Sequence, residues 1–579
     1  SDVETVSTFY LLLSMFNAND TICHFLLGEE QITKEELIEE INKLNCSVVR
    51  TNNSKFTPKF REIVEAATNA TNLFNSEHVY DEHLFYELLS NKNLTATKVL
   101  IYLGVAATLV SLSGCADFLT REPQLEQSTE ITLSTYSGLN DATHGAYYYL
   151  ASSSWYGQSW VIDAEMRSGN GMKSNFKNSN RCTQAYNWNY TEDGTSGMWS
   201  VAYVTIAMAN NVIDNLEGKA VGDVTEQDLN NLKAECLFIR AFSHFCNVLT
   251  YGQPYTYCVA NDKESLGVPY VYHTDPNGKP ARETVISNYE NIVADLLEAE
   301  KLIDPNYSAK SVRSSLVDER AAVNISKIQA LLSRVYLYMG EWQNAADYAT
   351  KVIESGKYEM WTAEEYPTVW GQELGTGEVI FEVYGKRTNS AYGSWEDLSY
   401  LTSPNGSGDP QAAQPLIDLY ADGDVRLDTY RTDDKEESGI LWTAKYPGKG
   451  DNAAPDCNNV VIFRLSEMYL NRAEAIMRGA KVDGATAISD INMITSNRGV
   501  AAYSSVGPVD IQTERRKELA WEGHYVYDLA RWGMPVQRAE ADYPLLTQNF
   551  DVPFPSTKWA LPLPKSELDV NDNLVQNPK

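Results

Sequence analysis

The chain has 579 residues, 43% of them apolar and 22% charged, and a formal net charge of −31. This length exceeds one ordinary core and allows roughly two to four domains. So acidic a balance argues against nucleic acid and anionic membrane surfaces as partners, because both are bound through basic patches. The eight cysteines (Cys23, Cys46, Cys115, Cys182, Cys236, Cys246, Cys258 and Cys457) form no C-x-x-C pair, so neither structural zinc nor a disulfide framework is expected. Aromatic residues reach 11%. They serve either core packing or flat faces for a ligand such as a sugar ring.

Residues 1–97 read as a small all-α domain. "STFYLLLSMF" and "HLFYELLS" are similar apolar helices, and "QITKEELIEEINKL" has an acidic first turn and apolar spacing of three and four. "SEHVYDEH" brings Glu77, His78, Glu82 and His83 together. His78 and His83 are five residues apart and point about 140° away from each other on a helix, so the stretch reads as a helix start and not as a metal site. "FTPKFREIVEAA" with "SEHVYDEHLFYELLSNKNLTATKVL" resembles the second repeat of a Clp ATPase N-terminal domain, and "STFYLLLSMFNANDTICHFLL" a shortened first repeat. That resemblance implies a helical docking module; no G-x-x-x-x-G-K-[ST] loop for an ATPase follows.

Residues 98–114 form an apolar run after Lys98 that ends in Leu112-Ser113-Gly114-Cys115. The run is shorter than the roughly 18 to 20 residues that span a bilayer, and it matches a signal-peptide core with a lipidation cysteine. A cytoplasmic docking module and an exported lipoprotein suit no single compartment. The expectation is therefore that residues 1–97 are fused or mis-joined, with the seam between about Leu94 and Val105. Residues 115–130, "CADFLTREPQLEQSTE", read as a tether.

From residue 131 to 579, helices alternate with loops rich in Gly, Asn, Ser and Trp. "LKAECLFIRAFSHFCNVLTYG" carries an apolar face of Cys236, Ile239, Phe242 and Cys246. "NISKIQALLSRVYLYMGEWQNAADYATKVIESG" is a helix pair turning at Met339-Gly340-Glu341, with Ala345, Ala346 and Ala349 permitting close approach. "FRLSEMYLNRAEAIMRGAKVDGATAISDINMI" repeats that tetratricopeptide-type pattern. "EVIFEVYG" and "VVIFRLS" predict minor strands. Two long loops, at 165–198 and 384–415, are of the size that carries function.

"FRLSEMYLNRAEAIMRG", "ERRKELAWEGHYVYDLARWG" and "ALPLPKSELDVNDNLVQNPK" together resemble the RagB/SusD family, and "MWSVAYVTIAMANNVIDNL" and "KAECLFIRAFSHFCNVLTYGQPY" fit in order. The resemblance covers about residues 115–579 and implies a mainly α, SusD-like helical scaffold with long loops and a few minor strands. It also implies a surface-exposed lipoprotein of the outer membrane, anchored through Cys115. Such a protein binds oligosaccharides or polysaccharides and caps a SusC-like TonB-dependent transporter, without catalysis. The alternatives are a glycoside hydrolase, or a transporter lid for another cargo such as peptides.

Sugars need aromatic faces for their C–H surfaces and amide, guanidinium or carboxylate partners for their hydroxyls. "EMRSGNGMKSNFKNSNRC" supplies Arg167, Asn170, Lys173 and Phe176; "KRTNSAYGSWEDLSYLTSPNGSGDP" supplies Arg387, Tyr392, Trp395 and Tyr400. The resemblance places glycan binding in these two loops. Trp188 and Trp199 read as core; Trp155 and Trp160 stay open. Glu514, Glu518 and Glu522 fall at i, i+4 and i+8. A glycosidase flanks its bond from two sides with two carboxylates, whereas these three lie side by side. Glu518 and Glu522 are expected to pair with arginines such as Arg464 or Arg472 on the neighbouring helix. No cofactor is expected. "DPNGKP" and "ADGDVRLD" leave a structural calcium ion as an alternative to plain turns.

Overall fold

A computed structural model describes residues 132–173, 181–312, 319–385, 397–432, 439–448, 458–538 and 551–578. The Clp-like segment, the signal-like run with Cys115 and the tether lie outside the described residues, as do Phe176, Arg387, Tyr392 and Trp395.

Its helices, in chain order, are α1 (Tyr136–Leu150), α2 (Ser159–Ser168), α3 (Ser196–Asp214), α4 (Glu226–Tyr251), α5 (Val285–Leu302), α6 (Ile325–Met339), α7 (Trp342–Glu354), α8 (Leu465–Met477), α9 (Ala487–Ser496), α10 (Pro508–Glu518) and α11 (Tyr525–Trp532), with shorter helical turns between them. The strands are β1 (Gly171–Lys173), β2 (Val379–Val383), β3 (Pro410–Ala412), β4 (Tyr430–Arg431), β5 (Trp442–Thr443) and β6 (Val460–Arg464). They pair antiparallel in twos, β1 with β3, β2 with β6 and β4 with β5. The chain is thus mainly helical, as its periodicity predicts.

Helix α4 is the centre. Thr225 caps it, and Asp228 closes a reciprocal capping box that satisfies the first free N–H groups. The predicted single apolar face is too narrow a description. Every residue from Ala234 to Val248 is buried, because α1, α3 and α5 all pack against this helix. Cys236 and Cys246 are core residues, as expected. Phe238, Phe242 and Phe245 are essentially fully buried, and each stabilises the fold by about 1.5–3 kcal/mol through area removed from water.

A helix buried all round must satisfy its polar groups internally. Glu235 accepts from the Tyr147 hydroxyl at 2.5 Å and the Tyr307 hydroxyl at 2.7 Å. Arg240 grips Asp295 of α5 through two 2.7 Å bonds and reaches Asn210 of α3 at 3.0 Å. His244 stays neutral, because burial lowers its pKa to about 3. Its Nδ1 donates to the Arg240 carbonyl at 2.9 Å and its Nε2 accepts from Val271 N at 3.1 Å.

Further along, α5 packs on α6, α6 on α7, α7 on α8 and α8 on α9. Gly340 ends α6 in the left-handed region at φ +77, where a side chain would be strained. The two-residue link sends α7 back along α6, and Ala345, Ala346 and Ala349 are fully buried at the seam. The tetratricopeptide-type pairs therefore stand where their spacing places them.

Beneath these helices lies a buried ion network. Glu518 accepts from Arg464 at 2.6 Å, Arg498 at 2.8 Å and Arg426 at 3.0 Å. Arg464 also bonds Glu522 at 2.7 Å and Glu378 at 3.1 Å, and Arg426 bonds Glu514 at 2.5 Å. Glu514 pairs with Arg426 and Lys517, and the expected pairing of Glu518 and Glu522 holds for Arg464. It does not hold for Arg472, which forms two 2.8 Å bonds with Asp490, its neighbour on α9. The oxygen-rich stretches are turns: Asp275 accepts from Asn277 N at 2.9 Å, and Asp424 caps the short helical turn at Val425–Thr429 while gripping Arg426.

Candidate functional site

Helix α2 ends at Gly169, φ +83, and the chain turns through Asn170 into β1. Gly171 allows the close approach that follows: a Cβ there would sit 2.6 Å from Met166 Sδ and 3.3 Å from the Trp521 ring. β1 pairs Lys173 with Pro410, and Arg181 N donates to Asp409 Oδ2 at 2.7 Å. Both described ends of the 174–180 segment are therefore rooted on residues 409 and 410. Those residues close the second predicted loop. Its described part begins at Asp397, which caps the Leu398–Leu401 turn, and runs on into β3. Two loops far apart in sequence share one root, and Tyr400 stands there half-buried in that turn.

Asn170 belongs to the frame beneath this root and not to an exposed face. It is fully buried; its Nδ2 donates to Glu165 at 2.8 Å and its Oδ1 accepts from Arg516 at 2.7 Å. Glu165 in turn accepts from Gly523 N at 3.0 Å. Arg167 is also enclosed, 1% exposed, with its guanidinium carbon 4.5 Å over the Trp188 ring and 6.0 Å from that of Tyr190. Its Nε and Nη1 have no hydrogen-bond partner among the described residues. Both residues were expected to meet a ligand. Burial instead makes Asn170 a brace and Arg167 a backing for Trp188.

Trp188 adopts φ +50, a conformation rare for so large a residue. It is held there by its Nε1–H, which donates to the Arg167 carbonyl at 3.0 Å, and by edge-on contact with Trp559 at 5.2 Å. Asp163, one turn before Arg167, has its pKa pushed up to about 6 by burial, with the Arg167 charge and the Tyr190 hydroxyl pulling it down.

Past Trp188 the chain forms one bank of a groove of about 480 Å³, lined on this side by Trp188, Tyr190, Glu192 and Asp193. The C-terminal segment forms the other bank, with Lys558 and Leu561. Cross-links fix the banks. Thr195 Oγ1 donates to the Pro562 carbonyl at 2.8 Å, and Lys565 N to the Glu192 carbonyl at 3.1 Å. Asn577 donates to the Tyr251 and Leu561 carbonyls and accepts from Arg282. A volume of this size, lined by both aromatic and charged side chains, suits a small-molecule or sugar-sized ligand.

Trp188 and Trp199 are core residues, as read from sequence, although Trp188 also lines the groove. Trp155 and Trp160, left open, are buried against Phe242 and Tyr527. Sequence reasoning missed Tyr190 and the C-terminal bank of this groove. Their signal was the aromatic run "YNWNY" together with "STKWALPLP", two stretches more than 360 residues apart.

Residues 117–337 match a family model described as starch-binding associating with outer membrane, and residues 441–579 match the SusD family model. A SusD-like protein, P2, of Formosa agariphila is 26% identical over 525 residues, spanning 81% of this chain and 97% of that protein. Among solved structures, a putative sugar binding protein of Bacteroides vulgatus is 31% identical and superposes with a TM-score of 0.67, covering 77% of this chain and 98% of the other. A SusD superfamily protein of Bacteroides thetaiotaomicron is 30% identical, with a TM-score of 0.67 over 77% of this chain and all of that one (100%).

Proposed function

The chain belongs to the SusD family, and from that premise we propose that it captures oligosaccharides or polysaccharides at the cell surface, without cleaving them, and delivers them to a SusC-like TonB-dependent transporter. The observation that carries the reading is the groove between Trp188–Asp193 and the C-terminal segment, whose lining combines aromatic rings with carboxylates, the side-chain types that serve a sugar's C–H faces and hydroxyls. The similarity to a sugar binding protein of Bacteroides vulgatus supports it. In this reading Tyr392, Trp395, Arg387 and Phe176, which lie outside the described residues, and Tyr400 supply further glycan contacts. Cys115 carries the lipid that holds the protein on the outer membrane.

The non-catalytic part of the reading is supported by Glu514, Glu518 and Glu522. All three are buried and ion-paired, so none is poised to protonate a glycosidic oxygen. Isothermal titration against a polysaccharide panel tests the function. Binding to at least one glycan is expected, weakened at least tenfold in Tyr392→Ala/Trp395→Ala. Release of shorter sugars from a bound glycan would replace the reading with a hydrolase, and binding of peptides alone would make the protein a lid for another cargo.

A further inference from the structure

We infer that Arg282 is a positioning residue for glycan binding, which holds the C-terminal bank of the groove in place without lining the groove itself; the inference rests on the glycan-capture reading and deepens it. The bank needs such a hold. Residues 561–564 and 574–578 belong to no helix or strand, and segments without a backbone ladder are the ones that open locally. Yet Leu561, Pro562, Gln576, Asn577 and Pro578 line the groove from these two stretches. Side chains stitch the stretches together. Gln576 Nε2 donates to the Leu563 carbonyl at 3.0 Å while its Oε1 accepts from Leu563 N at 2.7 Å, and Asn577 Nδ2 donates to the Leu561 carbonyl at 2.6 Å.

Arg282, three residues before α5 and 8% exposed, ties this unit to the body. Its Nη1 donates to the Val575 carbonyl at 2.7 Å and its Nη2 to Asn577 Oδ1 at 2.8 Å, so it grips the chain on either side of Gln576. The same guanidinium donates to the Gly267 and Leu266 carbonyls at 2.6 and 2.8 Å and, more weakly, to the Tyr251 carbonyl at the end of α4 at 3.3 Å. All of these acceptors are neutral oxygens. By contrast, Arg240, Arg334, Arg472 and Arg515 each hold a carboxylate at 2.8 Å or less. Burial without such a partner lowers the Arg282 pKa to about 10. A buried cation lacking a carboxylate is costly to keep. What it secures here is the junction of three segments, which the planar fork of a guanidinium can span and a compact ammonium cannot. Apparent affinity scales with the fraction of molecules whose bank is seated, so a bank in place one tenth of the time weakens binding about tenfold.

The test first titrates the natural full chain with a glucan, a mannan, a xylan and a polygalacturonate, and carries the tightest binder forward. Arg282→Lys is expected to weaken that binding at least tenfold. Amides of residues 574–578 are expected to exchange with solvent at least tenfold faster in the variant, those of α4 at the natural rate, and saturating glycan to restore slow exchange at 574–578. A purely structural role would raise exchange in α4 as well and leave affinity per folded molecule unchanged. Should Arg282→Lys fail to fold, Asn577→Ala is judged by the same criteria; both ends of Asn577 are bonded within the chain, so its loss reads placement of the bank. Affinity within twofold of the natural chain, unchanged exchange at 574–578, or exchange rising equally in α4 overturns the inference and leaves the capture function standing. Failure of every glycan to bind the natural chain removes the function itself, and the inference with it.

Discussion

Replacing Glu518 by Gln removes one negative charge from the middle of the buried network and changes almost no volume. Among the described residues, Arg426, Lys445, Arg464, Arg498 and Lys517 face Asp424, Glu378, Glu514, Glu518 and Glu522, so the cluster is charge-balanced. Glu518 is fully buried and takes bonds from three guanidiniums. A hydrogen bond to a charged group contributes about 1.5–3 kcal/mol, so three would sum to about 5–9 kcal/mol if independent. They are not independent. Arg426 keeps Asp424 and Glu514, Arg464 keeps Glu522 and Glu378, and Arg498 keeps Glu378. The remaining loss is one unneutralised buried charge, about 3–5 kcal/mol.

Urea unfolding followed by tryptophan fluorescence measures that loss, and the exposed pair variant Asp569→Asn, expected to leave the midpoint unmoved, is the control. The pH dependence adds a second readout. Burial acts to raise the Glu518 pKa, but Arg498, Arg464 and Arg426 outweigh it and hold it well below 4.5. A carboxylate with a depressed folded pKa contributes its full stability above the unfolded value and loses it as pH falls through the folded one. The gap between the natural chain and Glu518→Gln should be constant above about pH 5 and narrow below it. A loss under about 1 kcal/mol at neutral pH, the size of a surface pair, would refute the account.

Asp163→Asn should act in the opposite sense. The folded pKa of Asp163 is raised from 3.8 to about 6, so its contribution falls as pH rises through that window and the ionised form is a burden at pH 7. The Asn variant should gain about 1–2 kcal/mol at pH 7.5 and nothing at pH 4, after allowance for the partial exposure of the group. Thermal unfolding at the two pH values checks this, and equal destabilisation at both would contradict it. Gly523→Ala should cost about 2 kcal/mol or more, because Gly523 sits at φ +82 with a Cβ position 2.8 Å from the Trp160 ring. A melting temperature within error of the natural chain would show that the Trp160–Tyr527 stack yields more freely than its packing implies.

The local elements follow from local rules. The 3.6-residue periodicity, the Thr225 cap and the Gly340 stop define helices through interactions within a few residues, and the small alanines of α7 mark its seam with α6 on the same scale. The composition and charge argue against whole classes of partner, and the C-terminal motifs carry the family resemblance on their own. Pairings across the chain had no such local signal. That "EVIFEVYG" and "VVIFRLS" form one ladder, that Arg472 takes Asp490 and leaves Glu518 and Glu522 to Arg464, and that Asn170 is sealed under the loop it begins were decided only by packing. The groove is the clearest case. Trp188 and Lys558 are 370 residues apart, and only the docking of the C-terminal segment brings them to one groove with Tyr190, Glu192 and Asp193. Residue type and spacing determine what a segment can bury; which distant segment covers it depends on the lowest-energy arrangement of all buried surfaces together.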